Sequence, residues 1–141
     1  QIIASYIIIV LLSVVLFTFL PTLALLLFII VSGYHFGEQH WQSNIPERNF
    51  INKLFELTYG LFILNLLLFF NTVEVSKIIL EITHLTIEVS IYRETLIIIG
   101  ILLIVLTYII AKRNNNFKDQ ILEQLFYLVI LCVIFKFCRF K

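Results

Sequence analysis

Three histidines, two cysteines and a few acids and bases at the edges of apolar runs are the side chains of this 141-residue chain that could do chemistry. Paired histidines on facing helices at one depth could ligate a haem, but His35 falls near a predicted helix end and His40 and His84 fall in predicted loops. All three read as surface or interface residues. Cys132 and Cys138 lie six residues apart on one predicted helix, about 9 Å of axial rise and beyond the reach of a disulfide. Their spacing is not that of zinc or iron–sulfur ligands either, so they read as packed or lipid-facing thiols in a reducing or matrix-like compartment. The chain has no phosphate-binding loop, dinucleotide fingerprint, paired-histidine zinc motif or glycosylation acceptor. These residues assign no catalytic, cofactor-binding or metal-ligating position, and no cofactor.

Ionisable groups inside membrane spans are the next place to look for function. Glu123, Glu56 and Lys136 qualify, each within about a turn of a predicted helix end, where snorkelling or dipole complementarity accounts for them. Asn65, Tyr59, Thr107 and Tyr108 are uncharged polar groups within spans, and they are expected to make interhelical hydrogen bonds. A proton relay needs a central acid or base, which this chain lacks.

The elements that must position these groups belong to a membrane. Hydrophobic residues make up 61% and charged residues 13%, against roughly 45–50% and about 25% in soluble domains, and the mean hydropathy is +1.04. A soluble domain of this length could not bury that load. The net charge of +1 with scattered Lys and Arg excludes a nucleic-acid face. Gln1 opens directly into an apolar run with neither a basic leader region nor a small-residue cleavage site, so the expectation is a retained anchor.

The pattern predicts an all-α integral membrane protein in a single domain over 1–141, with about four transmembrane helices and a short extended surface segment. Residues 1–37 carry no charge, too long for one upright span and too short for two. A tilted or kinked first helix over 3–34 is expected, bent at Pro21 and ending near Gly33 or Gly37. A polar surface loop then covers 38–48, and further spans are expected over 51–70, 94–111 and 120–137, with Asn71 near the end of the second and Asp119 capping the fourth. Between them Leu85, Ile87, Val89 and Ile91 alternate with Thr86, Glu88, Ser90 and Tyr92. This period of two reads as a strand at the aqueous face, and an amphipathic surface helix over 75–85 is the competing reading. Four spans put five Lys/Arg on each side (Lys77, Arg93, Lys136, Arg139, Lys141 against Arg48, Lys53, Lys112, Arg113, Lys118), so charge asymmetry does not orient the chain.

The order of features from the second span onward resembles the antiporter-like membrane subunits of respiratory complex I, in particular the NADH dehydrogenase subunit 2 family. It is carried by Leu61-Phe62-Ile63-Leu64-Asn65-Leu66-Leu67-Leu68, the segment Thr86-Ile87-Glu88-Val89-Ser90-Ile91-Tyr92, the span over 96–110, the basic turn Lys112-Arg113-Asn114-Asn115-Asn116-Phe117-Lys118, and Leu122-Glu123-Gln124-Leu125-Phe126-Tyr127-Leu128. The family's channel glutamate and broken-helix lysines lie beyond Lys141, so none of them maps here. The resemblance implies a non-catalytic scaffold for the proton-translocating arm of NADH:ubiquinone oxidoreductase, in the mitochondrial inner membrane. Its partners would be the bilayer, other membrane subunits of the respiratory chain and a separate chain completing the same subunit. An A+T-rich residue vocabulary, heavy in Ile, Leu, Phe, Asn and Lys, is in keeping with an organellar gene. The alternatives are an accessory subunit of cytochrome oxidase, the bc1 complex or ATP synthase, and a small homo-oligomeric transporter with Glu123 lining its pore.

Overall fold

The computed structural model describes residues 2–41 and 49–113. Within them the chain forms α1 (Ile2–Phe19), α2 (Pro21–Trp41), α3 (Phe50–Phe70), α4 (Thr72–Thr83) and α5 (Val89–Arg113), with no strand among the described residues. The all-helical class follows from backbone physics, because lipid satisfies no N–H or C=O and a helix pairs its own. Three of the five, α2, α3 and α5, are long and apolar enough to cross a membrane. At 21, 21 and 25 residues they measure roughly 31–37 Å against a hydrocarbon core of about 30 Å.

The expected first helix over 3–34 is instead two helices. Pro21 has no N–H to return to the preceding turn, so α1 stops at Phe19 and α2 begins at Pro21 itself, the first helical position where proline fits best. Leu20 joins the two: its N–H closes α1 on Leu16 O (2.8 Å), and its carbonyl accepts from Ala24 N–H at the start of α2 (2.9 Å). Neither Gly33 nor Gly37 ends the second helix, which runs on to Trp41 and takes in the first residues of the expected 38–48 loop. Residues 42–48, Asp119 and the whole span expected over 120–137, with Glu123, Cys132, Lys136 and Cys138, lie outside the described residues.

Asn71 sits where it was expected, closing α3 and opening α4. Its backbone N–H reaches Leu67 O and Leu68 O (both 3.2 Å), and its side-chain Nδ2 donates to Leu67 O (3.0 Å). The strand expected around 85–92 does not form. Only 85–88 is non-helical, and α5 begins at Val89. The competing amphipathic helix over 75–85 is what the chain builds, as α4, which ends on His84 in the left-handed region (φ 57°, ψ 18°).

Helix α3 is the centre of the described fold, packing against α2 on one side and α5 on the other, while α1 touches α2. Three glycines set the α2–α3 distance. A Cβ added at Gly60 would strike the Gly33 carbonyl, one at Gly37 would strike the Glu56 carbonyl, and one at Gly33 would lie 2.7 Å from Leu61 Cδ2. Lipid tails are as apolar as leucine, so helices associate in membranes through close van der Waals approach, and Gly33 and Gly37, four residues apart on one face of α2, allow it. At one end of this contact Trp41 packs edge to face against both Phe55 and Tyr59, with Leu106 and Ile110 of α5 completing the cluster. Most of α1 and the outer face of α5 stay exposed, including Leu12, Phe19, Ile98 and Ile104, as lipid-facing surfaces are.

Candidate functional site

A cleft of about 430 Å³ opens among α2, α3, α4 and α5. Helical periodicity builds its walls. Thr22, Leu25, Leu26, Ile29 and Ile30 follow the i, i+3, i+4, i+7, i+8 stripe of one face of α2. Leu61, Asn65 and Leu68 do the same on α3, and Ile91, Thr95 and Ile99 on α5, with Tyr92 beside them. Ile79 and Thr83 of α4, followed by Leu85 and Ile87 of the 85–88 connection, complete the lining. The alternation that reads as a strand in the sequence thus serves a short connection and a helix start, with Leu85, Ile87 and Ile91 all turned to one cleft.

Few polar atoms reach this space. Thr83 Oγ1 donates to Ile79 O (2.7 Å), a bond that keeps the hydroxyl quiet in lipid. Thr95 Oγ1 donates to Ile91 O (2.8 Å), with Tyr92 O 3.1 Å away, and accepts from Asn65 Nδ2 (2.9 Å). Tyr92 Oη lies 3.5 Å from Ser76 Oγ, and Thr22 is exposed at the rim. Among the described residues no charged side chain lines the cleft.

Asn65 makes the interhelical bond expected of it, tying α3 to α5. Tyr59 is buried but meets its neighbours through its ring, stacked on His40 with centroids 5.2 Å apart. Thr107 is half-buried on α5 and Tyr108 exposed; among the described residues side-chain bonds between helices are made by Asn65 with Thr95 and by Ser76 with Tyr92, not by these two. Glu56 does not snorkel at a helix end: it is buried at the α2–α3 contact and engaged by a neighbour. His40, expected in a loop, lies in the last turn of α2, and His35 lies one turn further in; five residues apart, they face different sides of the helix. His35 Nε2 lies 3.1 Å from Gln39 Nε2. Together with His84 at the cap of α4, these histidines assemble no metal site: among the described residues no three His, Cys, Asp or Glu side chains come together.

A family model described as beta-carotene 15,15'-dioxygenase matches residues 1–139. The chain belongs to that family. No curated protein and no solved structure matches it. The family assignment overturns the resemblance to NADH dehydrogenase subunit 2, and with it the expected roles as a complex I scaffold and respiratory-chain subunit. The physical reason is plain in the fold: spans separated by polar turns recur in any multi-pass protein, and the supposed surface strand in that pattern is largely the first turn of α5. What stands is a multi-pass helical membrane protein. The cleft was the feature that sequence reasoning missed, although the stripes on α2 and α5 were present as 3.6-residue periodicity inside charge-free runs.

Proposed function

We propose that this chain draws a carotenoid from the bilayer into the α2–α5 cleft and holds it for oxidative cleavage at a central double bond. The observation that carries this reading is the cleft itself, about 430 Å³ with aliphatic walls, in a chain whose family is described by that reaction. A polyene hydrocarbon presents neither charge nor hydrogen-bonding groups, so shape and dispersion must bind it. The hydrophobic effect contributes little when both the bilayer and the cleft are apolar, and close contact with branched side chains such as Ile29, Ile91 and Ile99 supplies the affinity.

The reaction replaces one C=C bond with two C=O bonds. One dioxygen is consumed, each carbon of the broken bond takes one of its oxygen atoms, and two aldehydes leave. The described residues supply the aliphatic walls that bind the substrate and orient its chain. A membrane that contains carotenoids is the setting this reading requires. The mitochondrial inner membrane, expected through the complex I resemblance, loses that support.

Membranes carrying the full chain, incubated in air with beta-carotene and analysed by chromatography, test the reading. Aldehyde products absent from control membranes are expected. Intact beta-carotene in membranes that contain folded protein would overturn it.

A further inference from the structure

The cleft has a floor. Its lining runs from Thr22 on α2, Leu68 on α3 and Ile91 on α5 to Ile30, Leu61 and Ile99, a depth of about 12 Å at the helical rise per residue. The first three lie at the end of the bundle where α4 sits. Helix α4 has 12 residues, about 18 Å and too short to cross a hydrocarbon core, and it keeps Glu74, Lys77 and Glu81 exposed, so it lies at the bilayer surface. Its other face is turned inward. Ile79 and Thr83 are buried and border the cleft, joined by half-buried Ile87 of the 85–88 connection. Hydrogen bonds tie this floor down: Thr83 Oγ1 donates to Ile79 O (2.7 Å) and accepts from Leu85 N–H (3.3 Å), and Ser76 Oγ of α4 meets Tyr92 Oη of α5 at 3.5 Å.

We infer that Ile79 and Ile87 determine which double bond is cleaved: one ring of the carotenoid seats against them, and the depth of the cleft then brings the central double bond to its inner end. The double bonds of a polyene repeat without charge or hydrogen-bonding groups, so contact with an end of the molecule is what can tell one from the next. The volume agrees. A cavity of about 150 Å³ takes one benzene ring, so the cleft, about 430 Å³, takes about half of a forty-carbon polyene and places its middle beside Ile30, Leu61 and Ile99. Shortening a floor residue lets the ring settle deeper by about one C=C–C repeat, and the next double bond moves to where the central one was. One dioxygen then splits that bond and each carbon takes one oxygen atom. The far carbon carries a methyl group, so the products are an aldehyde two carbons longer than the central product and a methyl ketone two carbons shorter. The inference rests on the carotenoid reading and adds the residues that set the position of cleavage.

Membranes carrying the full chain or one of three alanine variants are supplied with beta-carotene in air, and the products are resolved by chromatography and mass spectrometry. The wild type is expected to give the central aldehyde. In Ile79→Ala and in Ile87→Ala the ratio of central to displaced cleavage should fall at least about tenfold, the discrimination a hydrophobic pocket draws from a methylene or two. Ile78→Ala, on the exposed face of α4, should keep the wild-type ratio. Ile87 belongs to no helix, so its variant tests the floor even if Ile79→Ala fails to fold. Central product alone from the floor variants, loss of all cleavage by folded Ile87→Ala, or an equal shift in Ile78→Ala would overturn the inference and, with the wild type active, leave the carotenoid reading standing. No cleavage of beta-carotene by the folded wild type would overturn both.

Discussion

Replacing Gly60 with alanine should loosen the α2–α3 contact on which the cleft depends. The added methyl would land on the Gly33 carbonyl and 2.9 Å from the Gly37 N atom. These are backbone atoms of a packed helix and cannot swing aside, so α2 and α3 must move apart by about 1.5 Å to restore ordinary contact distances. Overpacking of this kind costs roughly 3 kcal/mol, and alanine returns about 1 kcal/mol through its better helix propensity, for a net loss near 2 kcal/mol. Gly100→Ala is the internal control, because its methyl meets only the Phe62 ring edge at 3.3 Å and a flexible side chain can yield. That variant should match the wild type or gain a few tenths of a kcal/mol. Reversible unfolding in mixed micelles with increasing dodecyl sulfate, read by helical circular dichroism, measures both. If Gly60→Ala were as stable as the wild type, or Gly100→Ala equally damaged, the glycine-mediated crossing would not be what holds the helices together.

Other perturbations probe separate parts of the fold. His84 holds a left-handed conformation at the end of α4, so His84→Gly should raise stability by about 1 kcal/mol and His84→Val should lower it, as read in the same unfolding assay. Phe55→Ala removes a ring that is 1% exposed and packed 5.1 Å from Trp41; a loss of about 3 kcal/mol is expected, together with a changed emission from Trp41, the single tryptophan. Asn65→Leu removes the link to Thr95 and should cost no more than about 1 kcal/mol in stability, the size of interhelical hydrogen bonds in membranes.

Much of the fold was legible because the bilayer leaves so few choices. Charge-free runs bounded by Glu56 and Glu74, and by Glu94 and Lys112, could only be helices, and α3 and α5 are there. The interruption at Pro21 followed from its missing N–H, and it falls where expected, at the single residue Leu20 between α1 and α2. The errors came from local signals that tertiary context reassigned. Gly33 and Gly37 look like helix terminators until Gly60 is opposite them, when their spacing becomes a packing motif. The alternation from Leu85 to Tyr92 satisfies a strand template, but no partner strand exists among the described residues and the helix of α5 captures its second half. Asn65 was legible as an interhelical donor; its partner was not, because Thr95 lies thirty positions away. The resemblance to a respiratory subunit shows the limit of element order as a guide, since bilayer thickness imposes similar orders on unrelated chains.

Turnover with the cleft open and filled tests the central claim most directly. Ile99 faces the cleft from α5, and Ile99→Trp places a large ring in its volume. The full chain and this variant, each shown to be helical and monodisperse, are supplied with beta-carotene under ¹⁸O-labelled dioxygen and the aldehydes are analysed by mass spectrometry. The wild type should yield aldehydes in which both cleaved ends carry label, and the filled variant should lose at least nine-tenths of that yield, equivalent to about 1.4 kcal/mol or more. Undiminished cleavage by the filled variant, or no cleavage by the wild type, would contradict the assignment of the cleft as the carotenoid site.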